Sequence, residues 1–156
     1  MTGAAQKPTA ARDSKQRLRL WLRLLRTTRL IEAELRERLR ERFDTTLPRF
    51  DVMASLYRAE KGLKMSELSR ALLVSNGNVT GIVERLVTEG AVVRVQVVGD
   101  RRATLVRLTE KGRSEFAVMA REHAAWIDEL LACLPETQVG SMIGLLDRLS
   151  RKEPEV

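Results

Sequence analysis

What the sequence has little of narrows the field first. Its 156 residues include one cysteine, Cys133, and one histidine, His123. A disulfide framework within the chain, a cysteine-rich zinc site and an iron–sulfur cluster are therefore excluded, and His-based metal or triad chemistry has almost no material. No paired carboxylates, nucleophile–base set or phosphate-cradling loop stands out, so neither an enzyme nor a cofactor is expected. No run approaches about 18 uncharged apolar residues. The opening MTGAAQKPTAARDSK lacks the apolar stretch of a signal peptide. A cytoplasmic, soluble protein with no membrane partner is expected.

A hydrophobic fraction of 44% argues against disorder, while 31% charged and only 4% aromatic residues suggest a helical protein laced with solvent-facing charge. The length fits one domain. Lys and Arg number 28 against 21 Asp and Glu, a net charge of +7 that points to a polyanionic partner.

Residues 1–14 are small, polar and Pro-interrupted and read as a flexible tail. Ser14 to Arg42 contains no Gly or Pro, and Leu20, Leu24, Thr28, Ile31, Leu35 and Leu39 recur at helical spacing. A second apolar row, Leu18, Trp21, Leu22 and Leu25, makes the start of this helix apolar on more than one side, which implies burial against a second body. Pro48 suits the first turn of a second helix, carrying Phe50, Met53, Leu56 and Tyr57 and ending near Lys61-Gly62. Ser66 is expected to cap a helix running to about Leu72. After a break at Leu73-Val74-Ser75, another helix spans Asn76 to about Thr88, with Gly90 just past its end. Val92 to Val98 and Thr104 to Leu108 flank a polar turn, Gly99-Asp100-Arg101-Arg102, and form a β-hairpin. Thr109 caps a long helix to about Leu134, and Pro135 opens a last one bearing Val139, Met142, Ile143, Leu146 and Leu149. The expected fold is mainly α with a small β-wing.

Two short helices joined by a tight turn and followed by a hairpin have the order of a winged helix-turn-helix. At about 100° per residue, Val79, Ile82, Val83 and Leu86 turn inward while Gly77, Thr80, Gly81, Glu84 and Thr88 turn outward. Two outward glycines cost about 1 kcal/mol each relative to alanine, and close approach of the helix to a groove floor would offset that. Ser75, Asn76 and Asn78 cluster at the helix N-terminus, where the dipole favours phosphate and Asn can pair with adenine; capping alone is the plainer role. Arginines at a wing tip suit a narrow minor groove. The expected DNA contacts are Ser75, Asn76, Gly77, Asn78, Thr80, Arg85, Asp100, Arg101 and Arg102.

Residues 46–109 resemble the DNA-binding lobe of the MarR family of bacterial transcription regulators. The likeness is carried by LPRFDVM, by MSELSRALLVSNGNVTGIVERLVTEG, and by the spacing Asp100-x-Arg102-x5-Leu108-Thr109; with the flanking helices it extends over about residues 15–150. The resemblance implies an obligate homodimer, with residues 15–45 and 110–150 as its helical dimerisation region. It implies a repressor on double-stranded operator DNA with an inverted repeat, released by a small-molecule effector. It further implies that Asp100 pairs with an arginine to shape the wing while Arg101 or Arg102 enters the minor groove. Many relatives carry a basic residue where Gly81 stands, so their base contacts do not transfer directly. The wording LPRFD…SNGNVTG is similar to the branch that governs degradation of hydroxycinnamate-like aromatic acids, which implies an aromatic acid or aromatic acyl-CoA effector.

Ser14 to Ile31 carries six basic residues and no acidic one, with Lys15, Arg19, Arg23 and Arg26 on one stripe. DNA phosphate and ligand phosphate both fit this stripe, as does a plain solvated face. Effector contacts are expected from Arg19, Trp21, Arg23, Arg26, Tyr57 and His123, and Cys133 is expected to be a buried structural thiol. An effector-free architectural DNA protein and a winged-helix protein-interaction module are the alternatives.

Overall fold

In the computed structural model, which describes residues 7–72 and 78–150, the chain opens with a 37-residue helix, α1 (Lys7–Phe43). It starts inside the segment expected as a tail. Pro8 falls in its first turn, where a missing N–H removes no helical hydrogen bond. The C-terminal half is laced by ion pairs Glu32–Arg36 (3.4 Å), Glu34–Arg38 (2.7 Å) and Glu37–Arg40. Leu35 and Leu39 are buried there, whereas Leu18, Leu20, Trp21, Leu22 and Leu30 remain more than half exposed in the single chain. Asp44 ends the helix in the left-handed region, with φ 49°.

Helix α2 (Leu47–Arg58) is capped by Thr46, whose side-chain oxygen accepts from the Arg49 N–H at 3.3 Å, and Pro48 sits in its first turn. It stops at Arg58, short of the expected Lys61, and a turn through Gly62 (φ 93°) leads into strand β1 (Leu63–Lys64). Helix α3 (Met65–Ala71) follows. Ser66 is not its cap: Lys64 holds that position, and its N–H donates to Glu67 Oε2 at 2.8 Å. A carboxylate three residues into the helix reaches back to an orphan donor, so no serine is needed.

Helix α4 (Val79–Thr88) leads to strands β2 (Val92–Val97) and β3 (Asp100–Leu108). The three strands form an antiparallel sheet in the order β1-β3-β2, with Leu63 opposite Val106 and Val92 opposite Leu108. Helices α5 (Glu110–Leu131) and α6 (Glu136–Ser150) complete the chain. No helix among the described residues is long and apolar enough to cross a membrane.

The chain divides into two compact units, residues 1–120 and 121–156, with the boundary inside α5. The core of the first is built from Leu47, Phe50, Val52, Met53 and Leu56 of α2, Leu68 of α3, Val79, Val83 and Leu86 of α4, and Val92, Val106, Leu108 and Phe116. In the second unit Trp126 is buried, but no residue of α6 is, and Met142, Ile143, Leu145, Leu146 and Leu149 are exposed. Cys133 is exposed as well, against the expected burial. Helix α5 ends at Leu131 rather than Leu134, so the thiol lies in the turn beyond the helix instead of on its apolar face.

Candidate nucleic-acid interface

The inner face of α4 is the expected one. Val79, Val83 and Leu86 are buried and Ile82 is half-buried, while Thr80, Glu84, Arg85 and Thr88 are exposed. The helix is shorter at its start than expected, with Asn78 in the N-cap position. Ser75, Asn76 and Gly77 lie outside the described residues. Asn78 is exposed, and its side chain makes no capping hydrogen bond. The amide instead folds over Gly81, where any Cβ would collide with Asn78 Oδ1. Gly81 therefore answers a need within the helix itself, rather than only the close approach to a groove floor that its outward position suggests.

The far end of α4 is held firmly. Gly90 adopts φ 75° and its N–H donates to the Val87 carbonyl at 3.0 Å, while the Ala91 N–H donates to the Leu86 carbonyl at 2.9 Å. This is the double hydrogen bond of a Schellman motif. Glu89, the C-cap residue, forms a two-pronged ion pair with Arg49 of α2, Nη1 to Oε1 at 2.9 Å and Nη2 to Oε2. The carboxylate holds the Arg49 pKa above its usual value, and the guanidinium holds that of Glu89 below the usual carboxylate range. Lys111 Nζ donates to the Glu89 carbonyl at 2.8 Å. Thr109 donates its hydroxyl to the Gly90 carbonyl at 2.6 Å and accepts from the Gly112 N–H at 3.1 Å, so the expected cap of α5 also fastens the end of α4. Glu84, on the outer face, is paired with Arg94 of β2. Neither Arg49 nor Arg94 was signalled by local sequence, because each acts through a partner in another element.

The wing differs from the expected turn. Val97 stands opposite Asp100, so Val98 and Gly99 make the bend, with Gly99 at φ 90° and Val98 wholly exposed. A positive φ at the third residue of a four-residue turn is what a type II turn requires. The next pair is Gln96 with Thr104, which leaves Arg101, Arg102 and Ala103 as a bulge on β3. Asp100 Oδ1 accepts from the Arg102 backbone N–H at 3.0 Å. Among the described residues its bracing contact is to the main chain. Arg102 is exposed; the side chain of Arg101 lies outside the described residues.

A cavity of about 340 Å³ opens in the first unit, lined by Phe43, Thr45, Arg49, Met53, Glu115, Val118 and Met119. The Thr45 hydroxyl oxygen is buried without a hydrogen-bond partner among the described residues. None of the six expected effector contacts lines this cavity. Arg19, Trp21, Arg23 and Arg26 are exposed on α1. Tyr57 packs on Phe116, with ring centroids 5.0 Å apart, and carries the Arg113 guanidinium 4.8 Å over its ring. His123 is half-buried in the second unit, and burial holds its imidazole pKa below the usual value. Among the described residues no group of three or more His, Cys, Asp or Glu gathers as a metal site.

Comparison with known proteins gives this geometry its context. The MarR family model matches residues 43–103, which span the end of α1 to the wing bulge. The transcriptional regulator MhqR of Bacillus subtilis is 31% identical over 101 residues, 64% of this chain and 68% of MhqR. The transcriptional activatory protein BadR of Rhodopseudomonas palustris is 32% identical over 123 residues, 71% of this chain and 65% of BadR. The solved structure of a MarR family regulator from Silicibacter pomeroyi superposes with a TM-score of 0.76 at 31% identity, covering 91% of this chain and 98% of that one. The chain belongs to the MarR family of non-catalytic, DNA-binding transcriptional regulators.

Proposed function

We propose that this regulator is a homodimeric repressor that reads an inverted-repeat operator and is released by an aromatic acid or its CoA thioester, controlling an operon for aromatic catabolism. The observation that carries the DNA-reading part is the two-sidedness of α4. One face is locked in the core, and the other presents Asn78, Thr80 and Arg85 beside a wing whose tip bears Arg102. In this reading Asn78 and its neighbours 75–77 enter the major groove, and Arg101 or Arg102 follows the minor groove. The exposed apolar faces of α1 and α6 fit a second copy of the chain, and the cavity beside Thr45 and Arg49 fits the aromatic part of an effector. Its volume is near the lower end of the ligand-site range, roughly 300–1,000 Å³, so the bulk of a CoA thioester would lie outside it.

Footprinting of the DNA upstream of its own gene, with and without aromatic acids and their CoA thioesters, tests the reading. Protection of an inverted repeat, lifted by one of these compounds, is the expected result. Protection without sequence preference would instead make it an architectural protein, and no salt-dependent DNA binding would make it a protein-interaction module. BadR, a transcriptional activatory protein, favours a second sign of regulation, activation. A reporter driven from the protected promoter decides between the two: deletion of the regulator raises expression for a repressor and lowers it for an activator.

A further inference from the structure

Arg49 belongs to two places at once. It lines the cavity, and its guanidinium grips Glu89, the residue that ends α4. We infer that Arg49 is the switch between them: a small carboxylate bound in the cavity takes the guanidinium from Glu89 and frees the C-terminal end of the recognition helix. This rests on the reading of the protein as an effector-released regulator.

The cavity's chemistry selects the ligand class. Phe43, Met53, Val118 and Met119 supply apolar walls suited to one ring. Of the charged groups on the wall, Arg49 is the more interior, its side chain 25% exposed; Glu115 is 47% exposed and has Lys111 Nζ at 3.8 Å. A carboxylate entering the cavity meets the planar fork of Arg49, which matches it with two parallel hydrogen bonds. The fork is already occupied by Glu89, and two carboxylates crowded on one guanidinium repel each other. Glu89 is the one that leaves, because at 46% exposure its carboxylate can return to water at little cost, while the ligand's has left water to enter the cavity. What then holds the end of α4 is its backbone capping, the Thr109 and Lys111 contacts and the buried Leu86, without the ionic tie from Arg49 of α2.

Linkage gives the test. If ligand and Glu89 compete for one guanidinium, removing the Glu89 charge must strengthen ligand binding, and in the wild type acid and operator must weaken each other by the same factor. The probe is 4-hydroxybenzoate, with neutral 4-hydroxybenzamide as its isostere, titrated into the full-length protein by calorimetry. Operator affinity is read by fluorescence anisotropy, and circular dichroism checks each variant's fold. In the wild type, 4-hydroxybenzoate weakens operator binding about tenfold and the amide leaves it within about twofold. Glu89→Gln binds operator about tenfold more weakly, binds 4-hydroxybenzoate about tenfold more tightly, and no longer responds to it. Arg49→Gln has the same weakened operator binding but loses the acid, and the double variant is no worse than either single one. Additive losses in the double variant, unchanged acid affinity in Glu89→Gln, or no binding of the acid to wild type up to about 10 mM each overturn the switch while leaving operator reading intact. Failure of the wild type to bind operator would instead overturn the underlying function.

Discussion

At single residues, the clearest tension lies where two requirements meet on one side chain. Gly81 lowers helix propensity on an exposed helix, yet a methyl group there collides with the Asn78 amide. The amide is short and can swing aside, so Gly81→Ala is expected to stabilise the fold by up to about 1 kcal/mol. In the same variant Asn78 loses its aim, and discrimination at one base of the operator falls by about 1–3 kcal/mol. A thermal melt and a set of singly substituted operators measure the two effects; a stabilised variant with undiminished specificity would remove Asn78 from the reading face. Asp51 presents the other kind of tension. Burial holds its carboxyl pKa above the usual carboxylate value, with Glu32 adding to the rise and Arg58 opposing it. A group whose folded pKa is raised adds stability below its unfolded pKa and loses it as pH climbs through the folded one. At neutral pH the charged Asp51 is therefore a net burden. Asp51→Asn is expected to raise Tm at pH 7 and to narrow the gap with wild type near pH 3. An equal gap at both pH values would show that charge is not the cause.

At the level of elements, the wing makes the sharpest prediction. The bulge at Arg101–Ala103 is braced by the hydrogen bond from the Arg102 N–H to Asp100. Asp100→Ala is expected to loosen the tip and weaken operator binding severalfold, with little change in stability because the tip is exposed. Arg102→Ala is expected to weaken it further and to reduce the slope of log Kd against log salt by about 0.9, one phosphate contact. An unchanged slope would move Arg102 off the DNA. How legible these elements are in sequence follows from how local their causes are. The inner face of α4 and the Thr109 cap depend on spacings within one or two turns, and both stand where the sequence places them. The wing turn does not, because Val97 and Val98 continue the β-branched pattern straight through the bend. Ala132 and Cys133 likewise extend an apolar run past the end of α5. The ion pair from Arg49 to Glu89 spans 40 residues, and the cavity is assembled from α1, α2 and α5, so neither leaves a local pattern to read.

For the whole molecule, the unexplained surface is apolar. Five large hydrophobic side chains of α1 are 54–62% exposed, and five of α6 are 42–60% exposed. Single exposed leucines need no explanation, but ten on two helices exceed what an isolated soluble chain keeps in water. In the proposed homodimer a second copy covers these faces through a two-fold interface, and two-fold protein symmetry is what an inverted repeat demands: recognition helices about 34–36 Å apart, one turn of DNA. Leu146→Glu places a charge on the α6 face without touching any core residue, since Leu146 is 43% exposed in the single chain. The variant is expected to retain its helical circular dichroism and to sediment as a monomer. Each monomer then grips one half-site, and the loss of the linked second contact lowers operator affinity by about 100-fold or more. Sedimentation velocity and anisotropy on full and half operators check this together. A variant that stays dimeric would place the dimer contact elsewhere, and a monomer that still prefers the full operator would break the link between protein symmetry and DNA symmetry.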